Sequence, residues 1–98
     1  MNDEVAPLYR RVDALEVSEV PDGYVIYDSQ HGQVHYLNLT AATVLELCSG
    51  HRSAETIAAI LQEAFGLPVL PLEDVEACLA SLLAQSLIEA GGTAPSEA

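Results

Sequence analysis

His31, His35 and His51 with Cys48 and Cys78 could in principle make a metal site, and the cysteines could act as nucleophiles. Their spacings match no zinc pattern, and His31 and His51 fall in segments that read as turns. Cys78 has no Lys, Arg or His beside it in sequence to lower its pKa, which argues against a reactive thiolate. Both cysteines lie within helical apolar patterns and read as buried free thiols rather than a disulfide or a metal pair. The acidic run Glu73, Asp74, Glu76 suits the first turn of a helix, where the macrodipole favours carboxylates. It could alternatively receive a basic residue of a ligand. No Ser-His-Asp set, catalytic carboxylate pair or Gly-rich phosphate loop stands out. The expectation is a protein that is not an enzyme and needs no metal or cofactor.

The bulk properties narrow the classes further. A chain of 98 residues, half of them hydrophobic, makes one domain with a core that needs no staples. Fifteen Asp and Glu against three arginines give a net charge of −12. Nucleic-acid binding draws on several cations that neutralise phosphates. Here Arg10, Arg11 and Arg52 are the whole supply and do not share one helix, so nucleic acid is disfavoured. An anionic membrane surface is disfavoured for the same reason. The first residues, MNDEVAPL, are acidic and lack the apolar core of a signal peptide. The longest apolar run, Cys78 to Ile88, is too short and too interrupted to span a bilayer. A soluble, cytoplasmic protein is expected.

The elements that must position any site centre on Gln33 to Gly50. Gln33 to Asn38 mixes Val, Tyr and Leu with polar residues, as a half-buried strand does. Thr40 stands where an N-cap belongs, and Leu39 and Val44 are spaced as a hydrophobic staple. The helix from about Ala41 to Ser49 carries Val44, Leu45, Leu47 and Cys48 inward, with Gly50 as its left-handed C′ residue. Upstream, residues 1–11 read as a flexible arm. Val12 to Val20 alternates as a first strand, and Pro21-Asp22-Gly23 turns the chain into a second strand, Tyr24 to Asp28. Downstream, Ser53 caps a second helix with Ile57, Ala58, Ile60, Leu61, Ala64 and Phe65 inward, ended by Gly66. A Pro-bounded connector leads to a third helix from Glu73. The body of the domain is residues 12–90, and residues 91–98 read as a disordered tail. The fold class is α+β: a three-stranded antiparallel sheet followed by three helices, winged helix-turn-helix-like, with Gly50 to Ser53 as the turn between two helices.

The run Tyr36-Leu37-Asn38, Thr40-Ala41, Val44-Leu45-Glu46-Leu47, Gly50 resembles the PqqD-like family, the recognition elements for precursor peptides of ribosomally made natural products. The resemblance extends from about Leu15 to Ile88, through Phe65-Gly66, Glu73-Asp74-Val75, Leu79, Leu82 and Leu87-Ile88. It implies a non-catalytic peptide chaperone that binds the leader segment of a precursor. In that family the leader adds as an extra strand to the third strand and packs between it and the third helix. The partner it implies is a modifying enzyme, often a radical S-adenosylmethionine enzyme. Carried onto this chain, the peptide-binding residues are Val34, His35, Tyr36 and Leu37 on the strand and Val75, Cys78, Leu79 and Leu82 on the helix, some of which must serve the core.

The residues themselves are compatible with this. In a three-strand meander the third strand is an edge whose unpaired N–H and C=O groups can template a further strand, unless a helix covers it. Two other classes compete: a winged helix-turn-helix transcriptional regulator, which the charge disfavours, and a structural subunit of a larger enzyme.

Overall fold

The computed structural model describes residues 7–93. The chain runs through Pro7–Arg11 (β1), Leu15–Val20 (β2), Gly23–Asp28 (β3), Gln33–Asn38 (β4), Leu39–Leu47 (α1), Ser49–Arg52 (β5), Ala54–Phe65 (α2), Leu72–Ala84 (α3) and Ile88–Thr93 (β6). The three-stranded antiparallel meander and the three helices are as the sequence pattern predicts. A second small sheet was not anticipated.

The meander has the order β2-β3-β4 and a simple register, from Leu15 opposite Asp28 to Val20 opposite Gly23, and from Gly23 opposite Asn38 to Asp28 opposite Gln33. Side-chain alternation gives it two different faces. Val17, Tyr24, Ile26 and Leu37 pack inward, whereas Tyr27, Val34 and Tyr36 stay exposed on the other side. Gly23 cannot be replaced without moving the sheet. Its φ is +155°, and a Cβ there would stand 1.8 Å from the Leu37 carbonyl oxygen.

The turn between β3 and β4 is closed by Asp28, a buried carboxylate. Its Oδ1 accepts the Gln30 and His31 backbone N–H groups at 3.0 and 3.3 Å. Its Oδ2 lies 2.7 Å from His31 Nδ1. The bond to His31 is the main reason the Asp28 pKa lies below the usual carboxylate value, despite burial pushing the other way.

From β4 the chain enters α1 with no intervening loop. The cap is Asn38, whose Oδ1 accepts the Ala41 N–H at 2.9 Å, and not Thr40, which lies exposed inside the first turn. The helix therefore starts two residues earlier than the Thr pattern indicates. Asn and Thr are both good caps, and the sheet register decides between them, because Asn38 still pairs with Gly23. The staple moves as well. With Asn38 as cap, Leu37 and Ala42 hold the two staple positions, and both are buried, while Leu39 is exposed. In α2 the expected ends hold: Ser53 Oγ accepts the Thr56 N–H, and Gly66 is left-handed at φ +63°. Its buried stripe narrows to Ile57, Ala58 and Leu61.

The second sheet has the order β5-β1-β6. Pro7–Arg11, expected as part of a flexible arm, is its central strand. Ser49–Arg52, expected as a helix C-terminus and a turn, is one edge, so Gly50 at φ +92° belongs to a strand instead of ending α1, which closes at Cys48. Ile88–Thr93 is the other edge and takes in Gly91, Gly92 and Thr93, which the sequence pattern places in the disordered tail. Residues 1–6 and 94–98 of the expected arm and tail lie outside the described residues. The first strand of the meander is shorter than its sequence pattern, because Ala14 breaks it at φ 66°. Between the two sheets the core gathers Ile26, Val44, Leu45, Ile57, Val75, Leu79, Leu82 and Leu87, all almost fully buried.

Two stability measurements check these assignments. Asn38→Ala is expected to cost about 0.5–2 kcal/mol, with Thr40→Ala costing far less, both read by chemical denaturation; equal effects would misplace the cap. Because the Asp28 pKa is depressed on folding, the unfolded chain binds the extra proton. Its contribution is complete above the unfolded carboxylate pKa, about 3.9, and is lost as pH falls through the folded value. Thermal melts of the parent are expected to drop in that acid window more than those of Asp28→Asn.

Candidate functional site

β4 is an edge of its sheet, and antiparallel geometry determines which of its groups are free. In such a pair, alternate residues turn both N–H and C=O toward the same neighbour. The Leu37 carbonyl lies against Gly23 of β3. Gln33, His35 and Leu37 therefore bond inward, whereas Val34 and Tyr36 direct their backbone groups to the open edge. The strand carries no carboxylate that would repel a newcomer. At the opposite edge of the sheet β2 bears Glu16 and Glu19, charges of the kind that protect an edge from pairing.

Beside the β4–α1 junction lies an apolar hollow of about 320 Å³ between α1, α2 and α3. Leu39, Val44, Leu61, Phe65, Leu67 and Val75 supply most of its lining, and Cys78 and Asp74 complete the α3 side. Several of these side chains are more exposed than apolar residues of their size usually are: Leu39 is 57% exposed and Phe65 43%. The connector after α2 adds Val69 at 70% and Leu70 at 40%. Contiguous exposed apolar surface of this kind marks interaction sites in soluble proteins.

The residues singled out from sequence divide clearly. Val34 and Tyr36 are exposed on the outer face of β4, and the Tyr36 hydroxyl donates to the Asp22 carbonyl at 3.2 Å. His35 is half-buried on the inner face opposite Ile26, and its buried Nε2 has no hydrogen-bond partner among the described residues. Leu37, Leu79 and Leu82 are core residues, no more than 4% exposed. Positions 75, 79 and 82 follow the helical repeat that faces α3 into the core. Val75 is also 1% exposed but borders the hollow, and Cys78, one step around the helix, is half-buried in its wall. Leu39, Phe65 and Leu67 were missed as lining residues. The signal available was Leu67-Pro68-Val69-Leu70-Pro71, a connector without a single polar side chain.

The two cysteine thiols are held in the protonated form. Burial pushes the Cys48 thiol up to about 12, with the neighbouring Cys78 thiol adding to it, and burial raises Cys78 as well. At neutral pH both are protonated thiols. His31, His35 and His51 lie on a turn, on β4 and on β5, and among the described residues no three His, Cys, Asp or Glu side chains are grouped to hold a metal ion. No helix among the described residues is long and apolar enough to cross a membrane. The arginines are all engaged. Arg10 bonds Glu89, Arg11 lies 3.4 Å from Glu46, and Arg52 donates to the Leu47 carbonyl at 3.1 Å. None lines the hollow.

Comparison with known proteins places this geometry. No curated protein matches the chain. Among solved structures, the chain is similar to TbiB1 in complex with the TbiA(beta) leader peptide. The TM-score is 0.69 at 20% identity, over 82% of this chain and 94% of that one, a likeness of fold. The sequence profile of the family described as Coenzyme PQQ synthesis protein D (PqqD) matches residues 23–88, which span the sheet edge, the hollow and all three helices. The chain belongs to the PqqD family.

Proposed function

We propose that this chain binds the leader segment of a ribosomally made precursor peptide. The leader pairs as an extra strand along Val34 and Tyr36 of β4 and seats an apolar side chain in the hollow beside α3. The observation that carries this is an uncharged open edge running straight into an exposed apolar hollow. Strand addition supplies affinity through backbone hydrogen bonds, and the hollow supplies selectivity. Family membership and the leader-peptide complex of the structural neighbour support the reading. Of the eight residues expected from sequence to bind, Val34 and Tyr36 offer the edge, and His35, Val75 and Cys78 flank the peptide. Leu37, Leu79 and Leu82 act from below by holding the strand and helix apart at the right distance.

The protein is then a chaperone without catalysis of its own. It presents the bound precursor to a modifying enzyme, for which a radical S-adenosylmethionine enzyme is the class the family suggests. A transcriptional regulator would need to neutralise several phosphates with three arginines that are already engaged.

The parity of β4 gives the test. Proline removes one backbone donor. At His35 that donor serves β3, so His35→Pro is expected to unfold the domain. Val34→Pro and Tyr36→Pro are expected to stay folded and to weaken leader binding by about 0.5–1.5 kcal/mol for each bond lost. Thermal melts and titration with the leader of a precursor encoded alongside the protein read both effects. Folded variants that bind like the parent would show that the peptide does not pair with β4.

A further inference from the structure

We infer that the peptide taken up by the hollow carries a basic residue next to its apolar anchor, and that Asp74 is the residue selecting for it. The inference rests on the peptide-binding reading above and specifies the ligand it accepts.

The argument is one of charge complementarity. Among the described residues Asp74 is the one charged side chain lining the hollow, and it is exposed at the first turn of α3. Helix-dipole stabilisation accounts for an acidic residue at that turn. It accounts equally for the adjacent Glu73, which does not line the hollow. Among the described residues no cation pairs with Asp74. The sequence has no lysine, and its last arginine is Arg52, so residues 53–98, which hold α2, the connector and α3, contain no basic side chain. Every arginine is engaged elsewhere, with Glu89, Glu46 or the end of α1. The same span carries Glu55, Glu63, Glu73, Asp74, Glu76, Glu89 and Glu97.

A carboxylate on the incoming segment would therefore meet a field of one sign with nothing to neutralise it. A lysine or arginine would meet Asp74 directly and be drawn in by the net charge of −12. The apolar lining and the single charge thus describe one ligand pattern: a large apolar side chain with a cationic neighbour, and no acidic residue close to it.

The test selects peptides from a yeast-displayed random library against the full chain, and in parallel against Asp74→Asn and Asp74→Lys, each checked for folding by circular dichroism. Peptides selected on the parent are expected to be enriched in Lys or Arg beside an apolar residue and to weaken as salt is raised. Their affinity is expected to fall by up to about fivefold on Asp74→Asn, the range of an exposed ion pair, and further on Asp74→Lys. Selection on Asp74→Lys is expected to shift the adjacent position toward Asp or Glu. Peptides that lose binding on Val34→Pro or Phe65→Asp, yet show no basic preference and ignore both Asp74 variants, overturn this inference and leave the peptide-binding reading standing. A parent from which no peptide dependent on β4 or the hollow can be selected overturns both.

Discussion

One residue joins the sheet to the helices. Asn38 is the last rung of β4, opposite Gly23, and its side chain is also the first hydrogen-bond acceptor of α1. Because strand and helix share this residue, the angle between them is fixed by bonded geometry and by the buried pair Leu37 and Ala42. A loop at this point would let α1 drift relative to the strand. The hollow would then lose its position beside the edge, since Leu39 and Val44 line it from the first turns of that same helix. The close approach of Gly23 to the Leu37 carbonyl holds the junction from the other side.

Polar and apolar duties are separated across the molecule. The arginines and their carboxylate partners gather around β1, β5 and β6, where Arg10 meets Glu89 and Arg11 meets Glu46, which also accepts from the Tyr24 hydroxyl at 2.8 Å. Exposed pairs of this kind contribute little to stability. Their consequence here is spatial: they keep the cations away from the edge and the hollow. The one thiol on the hollow side, Cys78, is held protonated by burial, so that surface offers shape, apolar contact and one carboxylate among the described residues.

Much of this was legible in the sequence because it is local. Period-two alternation gave the meander, Pro21-Asp22-Gly23 gave its first turn, and Ser53 and Gly66 gave both ends of α2. Strand count made β4 a candidate edge, but whether a helix or another strand covered it needed the three-dimensional arrangement. What failed was of two kinds. Thr40 and Asn38 are both competent caps two residues apart, and only the register of the sheet chooses between them. Pro7–Arg11 and Ser49–Arg52 are short and weakly patterned, and they become strands by pairing with distant parts of the chain. The hollow itself was not legible. The family resemblance pointed to α3, whose Val75 and Cys78 border it, and the helical repeat does not separate these from Leu79 and Leu82, which fill the core.

The second sheet also sets the order in which the molecule can be made. Its central strand, β1, precedes the meander in the chain, yet one of its neighbours, β6, follows the last helix, and Pro7 finds its partner at Thr93. Closing so long a loop is entropically costly, and non-local pairings of this kind form late in folding. The meander, by contrast, is built from adjacent hairpins and can form while the chain is still emerging. The edge that would receive a peptide is thus assembled from early, local structure. The clasp of β1 against β6 is added only once the whole span between them has been made.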